Sequence, residues 1–139
     1  MATWRDVRRH ALALPGTSEE RTARGWRVWT ANKKHLVWER PLLKSDLAAL
    51  GDDAPSGLVL AVRTADLEMK KVLLASDPDV YFTTPHFEGY PAVLIRLDNI
   101  SSKDLKDVIV EAWLARAQKR AVTAFLREGK NASGRKQRA

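Results

Sequence analysis

Two runs of five residues, Trp26-Arg-Val-Trp-Thr30 and His35-Leu-Val-Trp-Glu39, stand four residues apart across Ala31-Asn-Lys-Lys34. Both are rich in aromatic and β-branched residues, the composition of strands. A parallel pair needs a crossover of about a dozen residues or more, so a connection this short requires an antiparallel hairpin. That requirement fixes the architecture into which the rest of the chain must fit.

Around the hairpin the apolar pattern changes period. Trp4, Val7, Ala11 and Leu12 repeat at helical spacing within Thr3–Leu14, with Arg5, Arg8 and Arg9 opposite them. Thr3 and Asp6 have the spacing of a helix-capping pair, and Pro15-Gly16 stops the helix. Pro41 ends or edges the second strand. Residues 44–57 read as one helical turn and a loop, and Gly57-Leu-Val-Leu-Ala-Val-Arg63 is apolar enough for a central strand. Thr64 caps a second helix with Leu67, Lys71 and Leu74 on one side, closed by Asp77-Pro78. Val80-Tyr-Phe-Thr83 and Ala92-Val-Leu-Ile-Arg-Leu97 are two further strands joined by Thr84-Pro-His-Phe-Glu-Gly-Tyr-Pro91. The expected fold is two-layer α+β, an antiparallel sheet with helices on one face, in the order α-β-β-β-α-β-β-α.

The terminal helix, capped by Ser101 or Ser102, carries an internal contradiction. Leu105, Val108, Ile109, Ala112 and Trp113 share one face, yet at 100° per residue Arg116, Lys119, Arg120 and Arg127 fall on that same face. Ala117, Ala121, Ala124 and Phe125 have moved round the cylinder. Either the helix bends near Ala117 or its distal half packs elsewhere.

The 24 Lys and Arg against 17 Asp and Glu give +7, but unevenly. Residues 1–40 hold nine basic and four acidic groups, residues 41–129 eleven and thirteen, and residues 130–139 four and none. The basicity is therefore at the ends. One domain over 1–129 and a basic, disordered tail over 130–139 are expected. With no cysteine, disulfide scaffolds, Cys-ligated zinc, iron–sulfur clusters and thiol catalysis are excluded. No run of about 18 apolar residues exists to span a bilayer, and the charged N-terminus lacks a signal-peptide pattern. A cytoplasmic location with no membrane partner is the expectation.

The stretch Leu73–Arg96, with its Asp77-Pro-Asp-Val-Tyr-Phe-Thr-Thr-Pro-His-Phe-Glu-Gly-Tyr-Pro91, resembles the signature of the MmcQ/YjbR family of small bacterial proteins. Leu14-Pro-Gly16, Trp38-Glu-Arg-Pro41, Ala112-Trp113 and Lys119-Arg120 agree with it, and the resemblance covers residues 3–126. It implies an α-β3-α-β2-α arrangement, called double-wing or CyaY-like, and the family is commonly labelled DNA-binding. It brings no catalytic residues. Many members carry Ala-Pro-Lys-Arg where this chain has Ala117-Gln118-Lys119-Arg120, so Gln118 departs from the pattern at the expected bend.

Candidate site residues fall into two groups. Phosphate-directed contact with DNA is expected through Arg27, the hairpin-tip pair Lys33 and Lys34, and Arg116, Lys119 and Arg120. Against this, turn lysines and one-sided helix charges are ordinarily solvated surface. Thr84, His86 and Tyr90 are candidates for a ligand pocket, although rigid loops of this kind more often serve the turn itself, with His86 as a hydrogen-bonded pin. The competing class is a protein- or small-molecule-binding module whose uncovered sheet face bears Trp26, Trp29 or Trp38. No metal is expected, since His10 and His35 sit on separate elements. No cofactor or enzymatic role is expected either, since no nucleophile-elbow or phosphate-cradling glycines occur.

Overall fold

Thr3 caps the first helix as the sequence requires. Its hydroxyl accepts from the Asp6 N–H at 3.3 Å while the Asp6 carboxylate accepts from the Thr3 N–H at 2.9 Å. This closes a capping box on α1 (Trp4–Leu12). The computed structural model describes the backbone of residues 2–55 and 57–138 and the side chains of that range up to Glu128.

Six antiparallel strands form one sheet in the order β1-β2-β3-β4-β6-β5. They are β1 (Thr17–Arg21), β2 (Arg27–Ala31), β3 (Lys34–Glu39), β4 (Val59–Arg63), β5 (Tyr81–Phe82) and β6 (Ala92–Arg96). The expected α+β class and antiparallel sheet hold. β1 is an addition: Thr17-Ser-Glu-Glu-Arg21 has no apolar residue and forms because β2 supplies its ladder. The β2–β3 loop is tighter than expected, only Asn32 and Lys33, at φ 53° and 62°. Positive φ at both central residues is the two-residue turn whose twist matches paired strands.

Alternation on β4 and β6 makes both sheet faces apolar. Leu60, Val62, Val93 and Ile95 face one core with Trp29, Leu36 and Val37. Onto that face pack α1 and α4 (Ser102–Arg116), through Val7 and Ala11 and through Leu105, Ile109 and Trp113. α3 (Leu67–Ser76) adds Leu73 and Leu74. Val59, Ala61, Phe82 and Leu94 face the other way, where Phe87, Trp38, Leu42 and Leu50 meet them. The longer helices therefore share one face, and the short α2 (Lys44–Leu50) lies over part of the other. Residues 44–50 thus form a two-turn helix rather than the single turn expected. Its Asp46 is buried against Arg40, with 3.2 Å between the charged atoms.

The contradiction in the terminal helix resolves as a break. α4 ends at Arg116, Ala117 is extended at φ −68° and ψ 160°, and α5 (Lys119–Arg138) starts in a new direction. Ala117, Ala121, Val122 and Phe125 return to the main core, and the Phe125 ring meets Trp113 edge-on at 4.9 Å between centroids. The Trp113 indole N–H donates to the Pro15 carbonyl at 2.9 Å, so the same side chain anchors the end of α1 and receives α5. Residues 130–138, expected within a disordered tail, continue the backbone of α5, and their side chains lie outside the described range.

The break makes position 118 suited to proline. Ala117 already has the extended geometry that a following proline enforces, and position 118 precedes the first helical residue, Lys119, so its N–H is no part of the helix ladder. Gln118→Pro is expected to change unfolding free energy by less than about 1 kcal/mol, whereas proline inside a continuous helix costs about 3 kcal/mol. Urea denaturation of the two proteins measures the difference.

Candidate functional site

The sheet is covered on both faces at β4 and β6 but on one face only at β2 and β3. Where the second cover stops, a groove of about 470 Å³ opens on the far face. One wall is the β1–β2 turn and the strands beside it, contributing Arg24, Trp26, His35 and Trp38. The other is the Thr84–Pro91 segment, contributing His86, Phe87 and Tyr90. Trp26 and Trp38 are half-buried and His35, His86 and Tyr90 exposed, so the aromatic surfaces are accessible from the groove.

Cations sit on these rings. The Arg24 guanidinium lies 5.2 Å from the Trp26 ring centre, Arg40 5.4 Å from Phe87 and Arg63 4.8 Å from Tyr90. Such stacking holds a guanidinium over a π-face while leaving its N–H edge available. Arg40 is neutralised by Asp46, but no carboxylate is among the groove-lining residues. The groove is thus aromatic, cationic and free of acidic lining.

The loop wall is fixed from behind by Lys70. Its ammonium is buried under α3 and donates to the carbonyls of Phe87 at 2.5 Å and Tyr90 at 2.9 Å. Pro85 starts a single helical turn, Pro85–Phe87, and Gly89 at φ 74° allows the reversal that follows. The role of turn pin, one of two read for His86, therefore belongs to Lys70. Trp26, Trp38 and Tyr90 were legible from composition, whereas Arg24, Arg40 and Arg63 were not, because nothing local in sequence pairs them with rings.

The three expected pocket residues divide. His86 and Tyr90 share the groove, whereas Thr84 is buried and lines a separate cavity beyond the loop. Trp29 is fully buried on the helix-covered face, its indole N–H bonded to Glu19 at 2.9 Å. It therefore contributes nothing to the open face.

The six expected phosphate contacts also divide. Lys33, Lys34, Lys119 and Arg120 are exposed. Gln118 donates from Nε2 to Asn32 Oδ1 at 3.3 Å, joining the hairpin tip to the start of α5 and gathering these four cations at one edge. Arg27 is otherwise engaged, its Nε 2.7 Å from Glu39 Oε1 and its guanidinium 5.2 Å from the Trp4 ring centre. Arg116 is half-buried, and burial followed by the nearby charge of Arg63 lowers its pKa, with Tyr90 opposing. Neither is placed as a free surface cation.

These features describe a small α+β protein with a six-stranded antiparallel sheet and an aromatic groove on its open face. No family model and no solved structure matches the chain. It is similar to "Uncharacterized protein Rv2570" of Mycobacterium tuberculosis and "Uncharacterized protein Mb2600" of Mycobacterium bovis. Each is 52% identical over 129 residues, covering 91% of this chain and 97% of the relative. The chain belongs to the family these mycobacterial proteins represent.

Glu39 provides a test of the Arg27 assignment. Burial would raise its carboxyl pKa, but hydrogen bonds from the Arg27 side chain and backbone, with the Arg27 charge, hold it below the ordinary 4.5. A carboxyl depressed in the fold adds stability above its unfolded pKa and loses it as pH falls through the folded one. Glu39→Gln is therefore expected to flatten the decline in stability below about pH 5, read from urea midpoints across pH. An unchanged acid-side slope would leave Arg27 free for other partners.

Proposed function

We propose that this chain is a binding protein rather than an enzyme, an MmcQ/YjbR-like module. In this reading its open sheet face takes a planar, anionic small molecule or an anionic aromatic group of a larger partner. The observation that carries this is the groove between Trp26, Trp38 and Tyr90, with Arg24 stacked at its wall and no acidic lining. Flat π-faces favour a planar occupant, and the unopposed Arg24 guanidinium edge favours negative charge. The groove offers surfaces and donors rather than a nucleophile held by a base.

The test is titration of the full chain with AMP and with nicotinate, followed by tryptophan fluorescence. Stacking on an aromatic side chain is worth about 1–3 kcal/mol, so Trp38→Ala should weaken binding by roughly 5- to 150-fold. Arg24→Glu, an exposed change that leaves the fold intact, should weaken nicotinate but spare neutral nicotinamide. Binding untouched by both variants, or no binding to either anion below ~1 mM, removes the proposal.

A second reading, phosphate-led DNA contact, is favoured by the Gln118–Asn32 bond that unites Lys33, Lys34, Lys119 and Arg120 at one edge. Four such contacts predict that log affinity for a duplex falls with log salt at a slope of about −3.6. Lys33→Glu with Lys34→Glu should cut that slope by about half, to roughly −1.8, while Arg27→Ala should leave it unchanged. A slope insensitive to the double change excludes this edge as the DNA surface.

A further inference from the structure

A cavity of about 500 Å³ lies on the opposite side of the Thr84–Pro91 loop from the aromatic groove, between that loop and α3. Leu67, Leu74 and Pro85 give it apolar walls, and Lys70, Thr84 and Glu88 are its neighbours with polar groups to offer. Two of these are nearly enclosed, with Lys70 6% exposed and Thr84 3%.

Both have unused hydrogen-bonding capacity. The Thr84 hydroxyl is buried and has no partner among the described residues. An ammonium carries three N–H donors, and Lys70 directs two of them to the Phe87 and Tyr90 carbonyls. Those carbonyls also accept from the backbone N–H groups of Tyr90 and Ala92, so Lys70 is not required to satisfy them. A buried lysine without a bonded carboxylate is costly to keep charged. Burial accordingly lowers its pKa, with Glu88 opposing through its charge. An unpaired buried hydroxyl and an under-coordinated ammonium thus belong to residues lining one cavity, each with a donor left to give.

We propose that this cavity is a second ligand site, taking a monocarboxylate with a short apolar tail. One carboxylate oxygen accepts the third Lys70 proton and the other the Thr84 hydroxyl proton once that enclosed side chain turns toward the cavity, while the tail lies along Leu67, Leu74 and Pro85. The single negative charge follows from the lining, which holds the two cations Lys70 and Lys71 and one carboxylate, Glu88. Lys71 is drawn outward toward Glu68 at 3.4 Å, which leaves Lys70 as the inner charge. The cavity and the aromatic groove have no lining residue in common.

Octanoate is the probe, titrated into the full chain and followed by backbone amide NMR shifts, with octanol and octylammonium as companions. Octanoate should bind best, shifting Thr84, Lys70 and Gly89. Thr84→Val keeps side-chain shape and removes the hydroxyl, so it should weaken octanoate by roughly three- to tenfold while leaving the urea midpoint equal or higher. Glu88→Gln removes the like charge and should tighten octanoate. Trp38→Ala, in the other groove, should leave it unchanged. Octanol binding as tightly as octanoate, a Thr84→Val protein that binds normally or loses stability, or shifts that vanish with Trp38→Ala would each overturn the proposal. An absence of octanoate binding at millimolar concentration would overturn it as well.

Discussion

The constraint on which everything else rests is that β4 and β6 are apolar on both faces. Leu60, Val62, Val93 and Ile95 need one cover, and Val59, Ala61 and Leu94 need another. At roughly 25 cal/mol per Å² of apolar surface, neither face is tolerated in water. α1, α3 and α4 cover the first face. The second is met by smaller pieces, α2 and the turn carrying Phe87. These suffice for the centre of the sheet and stop short of β2. The groove is the boundary of that second layer, and its aromatic walls are side chains that straddle the boundary.

Much of the architecture was legible because it follows from local pattern. The hairpin Trp26–Glu39, the apolar strands at Val59 and Ala92 and the capping pair Thr3/Asp6 each follow from spacing or residue type alone. The break after Arg116 was legible for a subtler reason. A helix cannot bury Trp113 and then present Arg116, Lys119 and Arg120 to the same core, so the geometry had to change between them. Gln118 obscured the signal, since the break needs only the extended conformation of Ala117 and not a proline.

What escaped the sequence depends on distant partners. Thr17–Arg21 has no strand-like composition and is ordered by β2. Arg27 has the character of a surface cation until Glu39 is placed opposite it across the β2–β3 ladder. Lys70 shows the same limit in reverse: its charge argued for solvent, while the carbonyls of Phe87 and Tyr90, 17 and 20 residues away, draw it inside. The candidate site was accordingly half visible. Its rings could be named, but which rings shared a face, and which cations remained free, required the fold.

The polarity that concealed β1 has a use of its own. A sheet ends in two rows of unpaired backbone groups, each a template onto which another chain could extend the ladder. Here one terminal strand carries Glu19, Glu20 and Arg21 in succession, so a second copy laid alongside would bring like charges together. The other terminal strand, Tyr81–Phe82, is only two residues long and offers too little ladder to hold a guest. A sheet this apolar at its centre is thereby closed at both margins to growth by strand addition.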